Sequence, residues 1–355
     1  MTVTVQKDAF SNAIRAVKTS VAKIALQPAL STIHIKSENG GLTLTATDLE
    51  TSARAVCEAN ATEPIDVCVN ANSLDSIVAR LSDLITLEVK EAKLLVKSGK
   101  TKFELLFIQP DDFPQVTFEI TGNGIVISKD DFISGVNKAL VSTSTDVQGI
   151  LSGVCFTFSN DCYELASTDG NRLNQIKFTT PIGQEGQVVI PKKILQDVIR
   201  NVGEDVSIFL NDKTVVFQTG TCLFKQNLLV GKFPEYTKLL PTTFEHRAIV
   251  DRNDLLHSLD RVAVMCDEKS NLTIFNFKDG ELHLNTASEN GTAEDTLEVS
   301  FDGALKIAFN YKFILGAIKT MTSETIEFGM NGALGACCIT GDEGYLALIM
   351  PVNKQ

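Results

Sequence analysis

Lys7-Asp8-Ala9-Phe10, Lys129-Asp130-Asp131-Phe132 and Arg252-Asn253-Asp254-Leu255 open three similar stretches of this chain, at offsets of 122 and 123 residues. Each follows a short Val/Ile/Thr run, and each continues with apolar residues at helical spacing. In the first, Phe10, Ile14, Val17 and Val21 share one face. An acid just inside each start suits the positive end of a helix. Further landmarks recur in the same order. A strand ends in a small-hydroxyl-acid step at Thr45-Ala46-Thr47-Asp48, at Ala166-Ser167-Thr168-Asp169 and at Thr286-Ala287-Ser288-Glu289. An alternating strand then runs into a second helix over 72–83, 191–202 and 310–321, with Pro191 suited to a helix start. A pair of hairpins closes each unit over 85–107, 206–229 and 326–350, and Phe113-Pro114 and Phe233-Pro234 end the first two. Turn-forming linkers stand at Thr121-Gly122-Asn123-Gly124 and Pro241-Thr242-Thr243. These readings predict an α+β chain of three repeated domains, 1–121, 122–243 and 244–355, each with two helices packed on antiparallel sheets.

At 355 residues the chain is too long for one ordinary core. No apolar run approaches the roughly 20 residues of a membrane span, and the start, Met1-Thr2-Val3-Thr4-Val5-Gln6-Lys7, lacks the pattern of a signal peptide. A cytoplasmic protein without membrane contact is expected. The eight cysteines form no C-x-x-C pair and have no histidine at zinc-finger spacing, so they read as buried thiols, Cys337-Cys338 included. No metal or other cofactor is expected. Net charge is −12, yet the six expected helical segments carry fourteen basic and eight acidic residues, net +6, which leaves −18 for the rest. A basic helical surface inside an acidic shell is the arrangement that faces phosphates.

Enzyme readings find little support. Ser98-Gly99-Lys100-Thr101 mimics the end of a phosphate-binding loop, but Leu94 stands where glycine is required. Neither G-x-S-x-G nor H-E-x-x-H occurs, and His34, His246, His257 and His283 are scattered. No catalytic residue is expected. A protein-interaction scaffold that does not encircle DNA is the alternative to a DNA-binding one.

The runs Leu42-Thr43-Leu44-Thr45-Ala46-Thr47-Asp48-Leu49-Glu50, Asp111-Asp112-Phe113-Pro114, Thr168-Asp169-Gly170-Asn171-Arg172-Leu173, Phe233-Pro234-Glu235-Tyr236 and Leu348-Ile349-Met350-Pro351-Val352, in order inside a threefold repeat, resemble the bacterial DNA polymerase III beta subunit, the sliding clamp family. The resemblance covers essentially the whole chain. It implies a head-to-tail homodimeric ring around double-stranded DNA, held without sequence preference, that acts as a processivity factor. Its implied partners are the DNA polymerase III alpha subunit, the clamp loader, and other polymerases and repair factors with short apolar motifs. Helix width agrees with two chains. Twelve helices, each about 10 Å across, leave a hole of about 28 Å for a duplex about 20 Å wide, whereas six leave about 10 Å.

Carried over position by position, the resemblance implies a peptide-binding cleft walled by Leu151, Thr168, Gly170, Asn171, Arg172, Leu173, Pro234, Lys238, Leu239, Leu348, Ile349, Met350 and Pro351. It implies a dimer seam of Phe103 and Leu105 against the partner's Val264 and Met265, with Lys97, Lys100 and Lys102 opposite Glu294, Asp295 and Glu298. The basic residues of the helices, Lys18, Lys23, Arg80, Lys138, Lys192, Lys193, Arg200, Lys312 and Lys319, are the DNA-facing candidates. Family members often carry Arg-Pro-Thr-Leu-Pro where this chain has Ala25-Leu26-Gln27-Pro28-Ala29-Leu30, so an arginine associated with DNA contact is missing and Lys23 is the nearest substitute. Asn171 and Lys238 replace a frequent His and Arg, and the tail ends in Asn353-Lys354-Gln355 without arginine.

Overall fold

The structure is a computed structural model and describes residues 2–24, 27–38, 40–120, 122, 124–145 and 149–352. Ala25-Leu26, Thr121, Asn123 and the tail Asn353-Lys354-Gln355 lie outside these residues. The chain runs through one element order three times. The first pass is β1 (Thr2–Gln6), α1 (Lys7–Lys18), β2 (Thr32–Glu38), β3 (Gly41–Thr47), β4 (Thr51–Ala61), β5 (Asp66–Asn70), α2 (Ala71–Val78), β6 (Leu84–Lys90), β7 (Lys93–Ser98) and β8 (Thr101–Ile108). The second is β9 (Ile125–Ile127), α3 (Lys129–Leu140), β10 (Gly153–Phe158), β11 (Tyr163–Thr168), β12 (Arg172–Phe178), β13 (Gly186–Pro191), α4 (Lys192–Asn201), β14 (Val206–Leu210), β15 (Thr214–Thr219) and β16 (Cys222–Asn227). The third is β17 (His246–Asp251), α5 (Arg252–Ala263), β18 (Leu272–Lys278), β19 (Glu281–Ser288), β20 (Gly291–Glu298), β21 (Ala304–Asn310), α6 (Tyr311–Lys319), β22 (Thr325–Met330), β23 (Cys337–Thr340) and β24 (Tyr345–Ile349).

Local chemistry sets the helix limits. Asn70, Asp251 and Asn310 cap α2, α5 and α6, accepting the N–H of Ser73, of Asn253 and Asp254, and of Lys312. The helix expected over 7–23 stops at Lys18. The Thr19 hydroxyl donates back to the Ala16 carbonyl, and the Ala22 N–H is taken by Leu30 at 3.0 Å. Pro191 ends β13 opposite Gly153 and does not open α4, where the lack of an N–H at the helix start is equally harmless.

The described residues form two compact units. One comprises residues 1–132 and 193–228. Its twelve strands run in the order β1-β6-β7-β8-β5-β2-β3-β4-β16-β15-β14-β9. Here β4 of the first pass pairs antiparallel with β16 of the second, Ala55 opposite Cys222 and Ser52 opposite Lys225. α1 packs on this sheet through Phe10, Ile14 and Val17, all fully buried. The other unit comprises residues 133–192 and 229–355. It holds the sheet β13-β10-β11-β12-β24-β23-β22-β17 and a second, β20-β19-β18-β21. Here β12 pairs with β24 of the third pass, Ile176 opposite Tyr345 and Leu173 opposite Leu348. The same junction between successive passes is therefore built once in each unit. All eight cysteines are free thiols, and Cys337 and Cys338 are neighbours on β23, both buried.

Candidate functional sites

In the second unit, the turn between β11 and β12 is fixed by its own side chains. Thr168 donates its hydroxyl to the Arg172 carbonyl at 2.7 Å, and Asp169 accepts the N–H groups of Asn171 and Arg172. Gly170 takes φ +90°, which glycine adopts without strain. The Asp169 carboxylate holds the Arg172 guanidinium at 3.0 Å, and that guanidinium lies 4.3 Å over the Phe313 ring. The chain end is pinned alongside, the Met350 N–H donating to the Asn171 carbonyl at 2.9 Å.

Beneath the turn lies an apolar cluster of Cys155, Ala166, Leu173, Val189, Phe233, Tyr236, Cys338 and Leu348, with Ile150, Leu151, Leu240 and Phe244 against it. Of the cleft residues read from sequence, Leu173 and Leu348 form its nearly closed floor, while Leu239 is 63% and Met350 43% exposed. Pro234 and Lys238 are also exposed, Lys238 held by Glu235 at 2.5 Å. Ile349 is corrected as a wall residue. It alternates to the opposite face of β24 from Leu348 and is buried there. Tyr236 and Phe244 join the site only in the structure. Tyr236 lies in the Phe233-Pro234-Glu235-Tyr236 run, and its contact with Phe233, centroids 6.0 Å apart, is a packing fact that no spacing reveals.

The basic candidates divide sharply. Lys138 is corrected, because its ammonium is buried on Asp342 at 2.7 Å, both side chains 8% exposed. Burial opposes ionisation of Asp342, but Lys138 and the N–H groups of Thr322 and Ser323 win and lower its carboxyl to about 2. Lys18 is paired with Asp75 at 2.6 Å and Lys193 with Asp48 at 2.5 Å. Lys319 stands 3.9 Å from Asp260 and Arg200 3.4 Å from Asp197, both cations more than half exposed. Lys23, Arg80, Lys192 and Lys312 have no carboxylate partner among the described residues.

At the two chain-end edges, Phe103 and Leu105 are half-buried on β8, and Val264 is 80% exposed after α5. Met265 reaches β20, where a Cβ on Gly291 would stand 2.8 Å from its methyl. Three charges expected across a seam are committed within the chain. Lys97 bonds Glu88, Lys102 bonds Glu104, and Asp295 bonds Arg261 and Ser258, which leaves Lys100, Glu294 and Glu298.

Family models of the DNA polymerase III beta subunit match the chain end to end: the N-terminal domain over residues 1–117, the central domain over 126–235 and the C-terminal domain over 237–353. The chain belongs to this sliding clamp family. The beta sliding clamp of Pseudomonas putida is 29% identical, covering 99% of this chain and all of that one. The Pseudomonas aeruginosa clamp bound to griselimycin superposes with a TM-score of 0.94 at 26% identity, and the Thermotoga maritima beta subunit with 0.93 at 25%, each over the full length of both chains. The three passes are thus three clamp domains. Sliding clamps are processivity factors and perform no catalysis, and Ser98-Gly99-Lys100-Thr101 is the tight connection between β7 and β8. No described helix is long and apolar enough to cross a membrane.

Proposed function

We propose that two copies of this chain close head to tail into a ring around duplex DNA in the bacterial cytoplasm. There it tethers the replicative polymerase and admits the clamp loader and repair polymerases through one cleft per chain, with domain borders near 121/122 and 243/244. The supporting observation is the repeated junction. The last strands of the second and third domains, β16 and β24, each pair with the preceding domain's β4 or β12. Two strands lack that partner. Among the described residues β20, the third domain's counterpart of β4 and β12, has only β19 beside it. β8, the counterpart of β16 and β24, pairs with β7 throughout but with β5 only at Phe107 and Ile108. Repeating the junction once more between copies satisfies both edges, and rotational closure gives a ring.

The cleft suits a short extended peptide with one or two Leu or Phe anchors, seated between Leu239 and Met350 over Leu173 and Leu348. Lys23, Arg80, Lys192, Arg200, Lys312 and Lys319 supply sequence-independent phosphate contacts. Sedimentation and DNA retention test the ring together. The chain is expected at about 77 kDa, twice 38.6 kDa, retained after loading on nicked circular DNA and lost from linear DNA. Replacing Val264 and Met265 with Ala is expected to weaken the dimer. A monomer that stays on linear DNA contradicts the reading.

A further inference from the structure

Because the interdomain junction is built twice, matching positions can be compared directly. At the second junction the space between α3 and the paired strands is full. The Phe178 ring packs so closely on Gly135 that a Cβ there would stand 2.9 Å away. Lys138 runs across to Asp342 with its ammonium 5.2 Å from the Tyr345 ring. Helix offset and strand register place Cys57, Ala16 and Cys222 where the second junction has Phe178, Lys138 and Tyr345. Three large side chains are replaced by small ones, and the first junction holds an open cavity of about 630 Å³ between α1, β4, β16 and the end of α4.

The rim of this cavity is positive. Arg15 and Arg200 line it, and no Asp or Glu does. Arg15 is exposed and has no hydrogen-bond or ion-pair partner among the described residues. Among the described residues Arg200 pairs with Asp197, at 3.4 Å, and burial raises that carboxyl to about 6, so it remains mostly ionised at neutral pH while Arg200 stays more than half exposed. The floor is uncharged. Ala13, Ala16 and Ala55 line it beside Cys57 and Cys222, whose thiols burial pushes up, Cys57 to about 11.

We propose that this cavity seats the sugar-phosphate backbone of duplex DNA, with Arg15 and Arg200 donating to phosphate oxygens and Asn12 and Asn201 supporting them. Guanidinium groups match phosphate geometry, and a floor of methyl and thiol groups presents no donor-acceptor pattern that would read a base edge. The second junction offers no matching seat, because Lys138 fills that space and is neutralised by Asp342. The inference rests on the DNA reading above and adds the seat and Arg15 to it.

The test is the salt dependence of duplex binding by the full-length dimer carrying Arg15→Gln and Arg200→Gln, with Lys213→Gln, an exposed cation outside the cavity, as control. Each phosphate that is no longer neutralised lowers the log–log salt slope by about 0.9. The double variant is expected to lose about 1–2 from the slope and about tenfold in affinity at 100 mM salt, at unchanged dimer mass. Cys57→Phe, which restores the second junction's filler and keeps both arginines, is expected to weaken binding too, with thermal melting confirming its fold. Unchanged slope and affinity in the double variant overturn the proposal. So does micromolar binding of ATP, used as a probe, that the double variant loses while its DNA binding stays intact, since the cavity would then be a nucleotide site. Failure of the unaltered dimer to stay on circular DNA fails the ring reading instead.

Discussion

The turns Thr47–Thr51 and Thr168–Arg172 share one hydrogen-bond scheme and carry different surfaces. In both, the threonine hydroxyl donates to the carbonyl four residues on, at 2.9 and 2.7 Å, and accepts the N–H two residues on, at 3.0 and 3.1 Å. In both, the aspartate accepts the next two N–H groups, and the strand that follows pairs with the next domain. Beyond the backbone they part. Leu173 faces Leu348 at the second junction, while Ser52 faces Lys225 at the first, and Lys225 is occupied with the Thr117 carbonyl at 2.8 Å. The same turn thus stands at both junctions, and the second carries beside it the apolar side chains of the proposed peptide cleft.

Removing residues 350–355 strikes the second junction hardest. Met350 is lost and the Asn171 carbonyl is left without its donor. At about 1.5–3 kcal/mol for each anchor side chain left without cover, affinity for a Leu-x-Leu-Phe peptide should fall about a hundredfold in calorimetry, with dimer mass unchanged. Undiminished binding would mean that the two junctions do not differ in the way their surfaces indicate.

Lys138→Met comes next. It strands Asp342 in a buried site and should cost about 3 kcal/mol by denaturant titration. The sign with pH follows from the lowered carboxyl. The pair's contribution is complete above about pH 4 and is lost as pH falls toward about 2, so the gap between variant and parent should narrow across that window. Ala16→Met, at the matching position of the first junction, leaves no buried charge behind.

The smallest effect separates the turns themselves. Leu49 sits at φ +76° where the second turn has Gly170. Leu49→Gly should stabilise by about 0.5–1 kcal/mol. Gly170→Leu should cost a similar amount, since its Cβ would meet nothing within 4 Å and only backbone strain is added. Equal melting temperatures for all three proteins would show that the turns tolerate left-handed leucine.

Much of this contrast is legible in sequence. The threefold repeat, the helix starts and the Thr-Asp turns follow from periodicity and local hydrogen bonding, which are short-range properties. Lys138 escapes such a reading because its partner lies 204 residues away in a β-turn, and a count of helix charges cannot distinguish a free ammonium from a paired one. The cavity at Arg15 is invisible for a related reason. Ala16, Cys57 and Cys222 are unremarkable singly, and only the strand register places them around one space.

The open edge of β20 has a consequence for the chain before it meets its partner. Along the eight residues of β20, alternate residues bond β19 and the others turn their backbone N–H and C=O groups to the open side, a template for strand addition by any extended chain. The exposed positions along it are Thr292, Glu294, Thr296 and Glu298, polar or acidic at every second residue. This alternation opposes stacking of identical edges, as gatekeeping charges do in aggregation-prone strands. A newly made or briefly separated subunit is therefore the species most exposed to misassembly, and its acidic edge protects it until a second copy arrives.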